Sequence, residues 1–185
     1  MMTPSKWDGA FYKLFREAVV RFHSNGRYSD LFFTDQEALF LASIGCRAKE
    51  LYGLVSLYAQ TGYPSPSTIL LMAAVRRDFF NVVHEGQFQQ IPVVTTHDLP
   101  SFGDEIKGIP YLPRLIKKAQ AKLLGSLGED VIYGCEQDQA FLQEHGGIHL
   151  ADFLMIVWRA NDNDMLVANW VKDQSFKVSQ LSEEA

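Results

Sequence analysis

A seven-residue pattern (acid, glutamine, acid, variable, apolar, phenylalanine, leucine) occurs twice in the chain, and it limits the possible folds more than any other feature. Asp35-Gln36-Glu37-Ala38-Leu39-Phe40-Leu41 lies without a gap over Glu136-Gln137-Asp138-Gln139-Ala140-Phe141-Leu142. One extra glycine then intervenes, after which Glu50-Leu51 aligns with Asp152-Phe153 and Leu54-Val55 with Ile156-Val157. Apolar residues recurring every three or four positions mark one face of a helix, and both copies keep that spacing. The pattern predicts an all-α protein of about eight helices, built as two related four-helix units, an internal duplication, with an irregular connector.

The boundaries follow from where the periodicity starts and stops. Ser5-Lys6-Trp7-Asp8 reads as a capping box, and Trp7, Phe11, Leu14, Phe15, Ala18, Val19 and Phe22 make the apolar stripe of a first helix that should stop near Asn25-Gly26. Thr34 with Glu37 opens the second helix, a third runs from about Arg47 to Gln60, and Ser65-Pro66 opens the fourth. Seven apolar residues in a row, Ile69 to Val75, predict that the fourth helix is buried on all sides and central to the first half. Residues 1–85 form the first unit on this reading. From 86 to 110 prolines and glycines break the pattern, with one β-favouring run from Ile91 to Thr95, and this is the connector. The second unit is 111–172. Its first helix carries Leu112, Leu115, Ile116, Ala119 and Leu123 on an apolar face, with Arg114, Lys117, Lys118 and Lys122 on a solvated one. Helices then follow at about Glu136 to His145, Leu150 to Ala160 and Asp162 to Val171, and the polar tail 173–185 is expected to fray.

Charge narrows the class of partner. Lys plus Arg number 17 against 22 Asp plus Glu, a net charge of −5, which is not the basic footprint that binding a phosphate backbone requires. Nucleic acid is therefore not an expected partner. The amino-terminal residues have no apolar run of signal-peptide type, and no stretch has the length of apolar residues that a membrane span needs. Two cysteines, Cys46 and Cys135, outside any C-x-x-C pair, fit a reducing compartment, so the expected location is cytoplasmic, with no membrane association.

Cys135 is the residue with most chemical interest, because it occupies the position of Thr34, a helix N-cap, in the upstream copy. A helix N-terminus favours an anion such as a thiolate, whereas the carboxylates of Glu136 and Asp138 oppose one. The alternative is a packed sulfur, set against Tyr133 and Phe141. His145 and His149 stand four apart, but Gly146-Gly147 breaks the helix between them; with Cys135 they make three ligands and no fourth, so no metal and no cofactor is expected. Arg76, Arg77 and Arg114 could form an anion site if the two halves pack face to face, yet Asp78, Asp138 and Asp152 are available to tie them up, and structural pairing is the preferred reading. There is no G-x-S-x-G, Walker loop, H-E-x-x-H or dinucleotide fingerprint.

Leu112-Pro113-Arg114, Lys118-Ala119-Gln120-Ala121-Lys122-Leu123, Gly125, Leu127, Tyr133-Gly134-Cys135, Asp138-Gln139, Phe141-Leu142, Ile148, Asp152-Phe153-Leu154 and Trp170-Val171 follow one another at characteristic spacing. This run resembles the bacterial family called domain of unknown function 5069, most clearly over residues 110–172. The resemblance supports the helix boundaries and implies no activity. Without a catalytic constellation, the residues favour a small cytosolic binding or regulatory module, whose partner, a protein or a small-molecule ligand, they do not single out. The rival reading is a small enzyme using a cleft between the two units with Cys135, Arg114 and Asp138. Gln139, Tyr133, Arg76 and Arg77 complete the candidate pocket.

Overall fold

The computed structural model describes residues 7–25 and 31–183, and among these the chain forms eight α-helices and a single two-stranded hairpin. The expected cap at Ser5 and stop at Gly26 lie outside the described residues. The chain divides into two compact units, residues 1–92 and 93–185. Their border falls inside the aperiodic stretch 86–110.

The first unit holds α1 (Trp7–Asn25), α2 (Asp35–Ser43), α3 (Ala48–Thr61) and α4 (Pro66–Val82). Thr34 caps α2 in a full capping box: its hydroxyl accepts from Glu37 N, while the Glu37 carboxylate accepts from Thr34 N at 2.8 Å. Glu37 also takes a forked contact from Arg21 of α1, at 2.9 and 3.1 Å. Ser65 caps α4, with Pro66 at the first position, as the sequence predicts. The core is built where α1 packs on α3 and α4, with Phe11, Phe15, Leu51, Val55, Ile69 and Met72 all buried. Two expectations for α4 change. It is not buried all round, because Leu71 in the middle of its apolar run is 50% exposed, and α1 rather than α4 makes the broadest packing in the unit. A run of apolar residues is buried throughout only when neighbours cover every face of the helix, and the face that carries Leu71 is only half covered.

The second unit starts with chain that has no periodicity because its bonds are made by backbone rather than by an apolar face. Val94 N donates to Ser126 O and Gly128 N to Val94 O, both at 2.8 Å, a short parallel bridge to the loop after the next helix. A 3-10 turn at Thr96–Asp98 follows. The hairpin of β1 (Glu105–Ile106) and β2 (Ile109–Pro110) comes next, turning at Lys107-Gly108 with positive φ at both, the geometry that fits the twist of a tight hairpin. Then come α5 (Leu112–Leu124), α6 (Glu136–Glu144), α7 (Leu150–Ala160) and α8 (Asp164–Glu183). The helix expected to end at Val171 continues through the tail to Glu183. Gly146 explains part of this: at φ +101°, a Cβ on it would stand 2.8 Å from Gln174 O, so glycine lets α8 approach closely beyond Val171, where propensity alone predicts fraying.

The paired phenylalanines are not equivalent. Phe141 is buried beside Leu142, whereas Phe40 is only half-buried and Leu41 carries the burial in its place. Phe141→Ala should cost about 3 to 5 kcal/mol, and Phe40→Ala about 1 kcal/mol. Urea unfolding of the two variants checks this, and equal losses would contradict the burial difference.

Candidate functional site

The site is assembled by three pieces of the second unit: the first two turns of α5, the residues entering α6, and the loop 96–104. Gly134 has φ +94°, a conformation that costs glycine little, and the turn it makes aims two consecutive N–H groups at one carboxylate. That carboxylate is Asp138. Its Oδ2 accepts from Gly134 N at 2.7 Å and from Cys135 N at 3.3 Å, so it serves the reciprocal half of a capping box at the start of α6. The same oxygen takes Lys118 Nζ at 2.5 Å, and Oδ1 accepts the Tyr111 hydroxyl at 2.6 Å. Asp138 is wholly buried and the Lys118 side chain is 5% exposed, so this is an ion pair removed from water in which both carboxylate oxygens accept hydrogen bonds.

Lys118 has a second contact, to the sulfur of Cys135. Its Nζ stands 3.3 Å from Cys135 Sγ, and the sulfur is also 3.3 Å from Gln137 Oε1. The thiol is half-exposed, facing a cavity of about 250 Å³ lined by Thr96, Phe102, Tyr111, Arg114, Lys118 and Gln137 among others. Arg114 lies one turn before Lys118 on α5. Its guanidinium donates to Pro100 O at 2.8 Å and stacks over the Phe102 ring at 4.3 Å, which fixes the loop beside the cavity. Tyr111, the N-cap of α5, sits at φ 69°, a left-handed conformation that costs a bulky residue about 1 to 3 kcal/mol and that gathers at functional sites. Burial pushes the Tyr111 phenol well above its ordinary value, and the neighbouring Asp138 charge adds to the effect, so the phenol remains a donor. Burial does the same to Tyr133, whose hydroxyl donates to Leu150 O at 2.7 Å. Asp130 also lines the cavity, and hydrogen bonds from Thr96 hold its exposed carboxyl below the usual range.

Of the residues the sequence nominates, Cys135 and Arg114 line the cavity and Asp138 lies beneath it. Gln139 braces the turn by donating to Gly134 O at 2.8 Å, and Tyr133 is packed in the core. All five belong to the second unit. Arg76 and Arg77 belong to the first, and the arginine pairing expected for them holds for only one. Arg77 meets Asp78 at 3.5 Å and covers the Trp7 ring, but Arg76 is buried with no hydrogen-bond partner on any guanidinium nitrogen. Asp138, expected to neutralise an arginine, pairs with Lys118, while Asp152 is exposed. Both histidines cap helix ends: His145 Nδ1 lies 2.8 Å from Phe141 O, and His149 Nδ1 accepts from Ala151 N. Sequence reasoning missed Lys118 and Tyr111. A signal existed, since Lys118 and Lys122 continue from Leu115 at helical spacing and so flank the buried stripe; both are 4% exposed and not on a solvated face.

The second unit is thus a helical domain in which the Cys135 thiol and the Lys118 ammonium line a small cavity, with the buried Asp138 carboxylate held against Lys118. Residues 96–184, nearly the whole second unit, match the model of the family described as domain of unknown function (DUF5069), the same family that the residues of this unit resemble. No curated protein and no solved structure matches the chain. Among the described residues no helix is long and apolar enough to cross a membrane.

Proposed function

We propose that the second unit is a small-molecule binding domain whose cavity takes a compact oxyanion, a phosphate or carboxylate group, beside the Cys135 thiol. The observation that carries this is the placement of Arg114 and Lys118 on successive turns of α5, both lining the cavity into which the N-terminus of α6 opens. A helix N-terminus favours an anion through its unpaired N–H groups and dipole. Lys118 is already neutralised by Asp138, and Asp130 is committed to Thr96, so Arg114 is the cation left to recognise a ligand. At about 250 Å³ the cavity is at the small end of ligand pockets, which commonly measure about 300 to 1,000 Å³, so the ligand has few non-hydrogen atoms. Two cysteines outside any C-x-x-C pair support a reducing, cytoplasmic setting.

Phosphate or acetate should raise the unfolding temperature of the second unit above that in chloride of equal ionic strength, approaching about 2.7 kcal/mol at a hundred times Kd. Arg114→Met should remove the difference. If the anions act no better than chloride, or act equally on Arg114→Met, the reading fails.

We further infer that the two units are related copies. In each, a nine-residue second helix starts at a capping residue whose backbone N–H is held by the acid three positions on, and that acid is held by a cation from the preceding long helix. In the first unit these are Thr34, Glu37 and Arg21; in the second they are Cys135, Asp138 and Lys118. The second copy differs by burying the pair and placing sulfur at the cap, which supports locating the function there.

A further inference from the structure

We infer that Cys135 is a nucleophile for small acyl phosphates, an inference that rests on the oxyanion reading of the same cavity and names its substrate class. A covalent catalyst needs a nucleophile within reach of a polar partner, a third group that fixes the partner, and donors where charge develops. Here Sγ of Cys135 is 3.3 Å from Nζ of Lys118, and Asp138 fixes that ammonium at 2.5 Å. As the sulfur gives up its proton, the Lys118 ammonium, held in place by Asp138, stands within hydrogen-bond reach as a donor to it. Asp138 is the positioning residue: it touches no ligand, and it holds Lys118, the Tyr111 hydroxyl and the Gly134-Cys135 turn at once.

The substrate class follows from the size of the cavity and from the thiol and guanidinium that both line it. An acyl phosphate puts an electrophilic carbonyl carbon beside a phosphate in very few atoms, and Cys135 and Arg114 line the same small space. Sγ adds to the carbonyl carbon, and the developing oxyanion lies near the first N–H groups of α6. The carbon–oxygen bond to phosphate then breaks; phosphate leaves with the bonding pair and the thiol proton, facing Arg114. The product is a thioester on Cys135. Water attacks the thioester carbon, and Sγ leaves with its pair and regains a proton, releasing the carboxylic acid. No oxidant, reductant or metal is consumed.

Acetyl phosphate is the probe, with intact mass and peptide mapping as readouts and neutral hydroxylamine to separate thioesters from lysine amides. The native chain should take one hydroxylamine-labile acetyl group at Cys135 and release phosphate. Cys135→Ala, or Cys135→Ser if alanine does not fold, should abolish the labile adduct, and Arg114→Met should slow it by about a hundredfold. Labelling confined to hydroxylamine-stable amides overturns the inference, as does equal labile labelling in the urea-unfolded chain. Phosphate stabilisation measured on Cys135→Ala separates the two readings: if it persists while the native chain forms no labile adduct, binding stands and the nucleophile falls.

Discussion

Replacing Asp138 with alanine is expected to cost the second unit about 3 to 5 kcal/mol, the usual consequence of leaving one member of a buried ion pair behind. The loss has several parts, because the carboxylate accepts from Lys118, Tyr111, Gly134 and Cys135 together. Two of those donors belong to Lys118 and Tyr111 side chains that can be removed in turn. Adding Lys118→Met to Asp138→Ala should therefore restore stability instead of lowering it further, since it deletes the unpaired ammonium. Recovery should be incomplete. Gly134 N stays buried without its acceptor, and each such orphan costs about 1 to 3 kcal/mol. Urea denaturation followed by tryptophan fluorescence suits the measurement, because Trp158 and Trp170 lie in the second unit and only Trp7 in the first. Two units need not unfold together, so the transition of the second is the one to fit. A double variant that is as unstable as the sum of its singles would show that the pair is not the anchor of the site.

Much of the helix order could be read from spacing, and the reasons for the exceptions are physical. Thr34 with Glu37 and Ser65 with Pro66 are local signals, complete within four residues, and both give the expected starts. The stretch 86–110 carries one such signal, Thr95 with Asp98 at a 3-10 turn, but the bonds that place it run to residues far along the chain, Val94 to Ser126 and Thr96 to Asp130. α8 outlasts its apolar pattern because Gly146, distant in sequence, leaves room for its backbone.

The candidate site was half legible for the same reason. Cys135 stood out as a poor capping residue in a position where its counterpart is threonine, and that contrast depends only on the repeat. For Lys118 the helical spacing marks only a place at the edge of the buried stripe, where a lysine is most often a solvated flank with its stem packed and its charge in water. What buries it is Asp138, 20 residues later, and nothing in either segment alone identifies the other. Tyr111 joins them only because the hairpin before it delivers the chain at positive φ. The arginines show the converse: residue type suggested ion pairs for all three, and the packing supplies one to Arg77, a carbonyl and an aromatic face to Arg114, and no hydrogen bond to Arg76.

Arg76→Met is expected to stabilise the first unit by about 1 to 3 kcal/mol, the opposite of the usual result of changing a buried residue. Arg76 is 1% exposed, and Nε, Nη1 and Nη2 all lack a hydrogen-bond partner. A guanidinium stays charged under all ordinary conditions, so its desolvation cannot be relieved by losing a proton. Burial pulls its pKa below the ordinary value, and the Glu50 charge only opposes that pull. The compensation in view is the Phe80 ring, 5.4 Å from the guanidinium carbon, and a cation over an aromatic face contributes about 0.5 to 2 kcal/mol. That is less than several unmade hydrogen bonds to a charged group. Methionine keeps an unbranched apolar stem of similar reach and adapts to irregular space, so it should retain the packing on Phe80 while removing the charge. Urea unfolding of the first unit decides the matter. A loss of 2 kcal/mol or more, on the scale of a broken charged hydrogen bond, would mean that the guanidinium has a partner in solution. Glu50 is then the first to test, because its carboxylate supplies the largest attractive charge on Arg76, and Glu50→Gln should reproduce the loss if the two are paired.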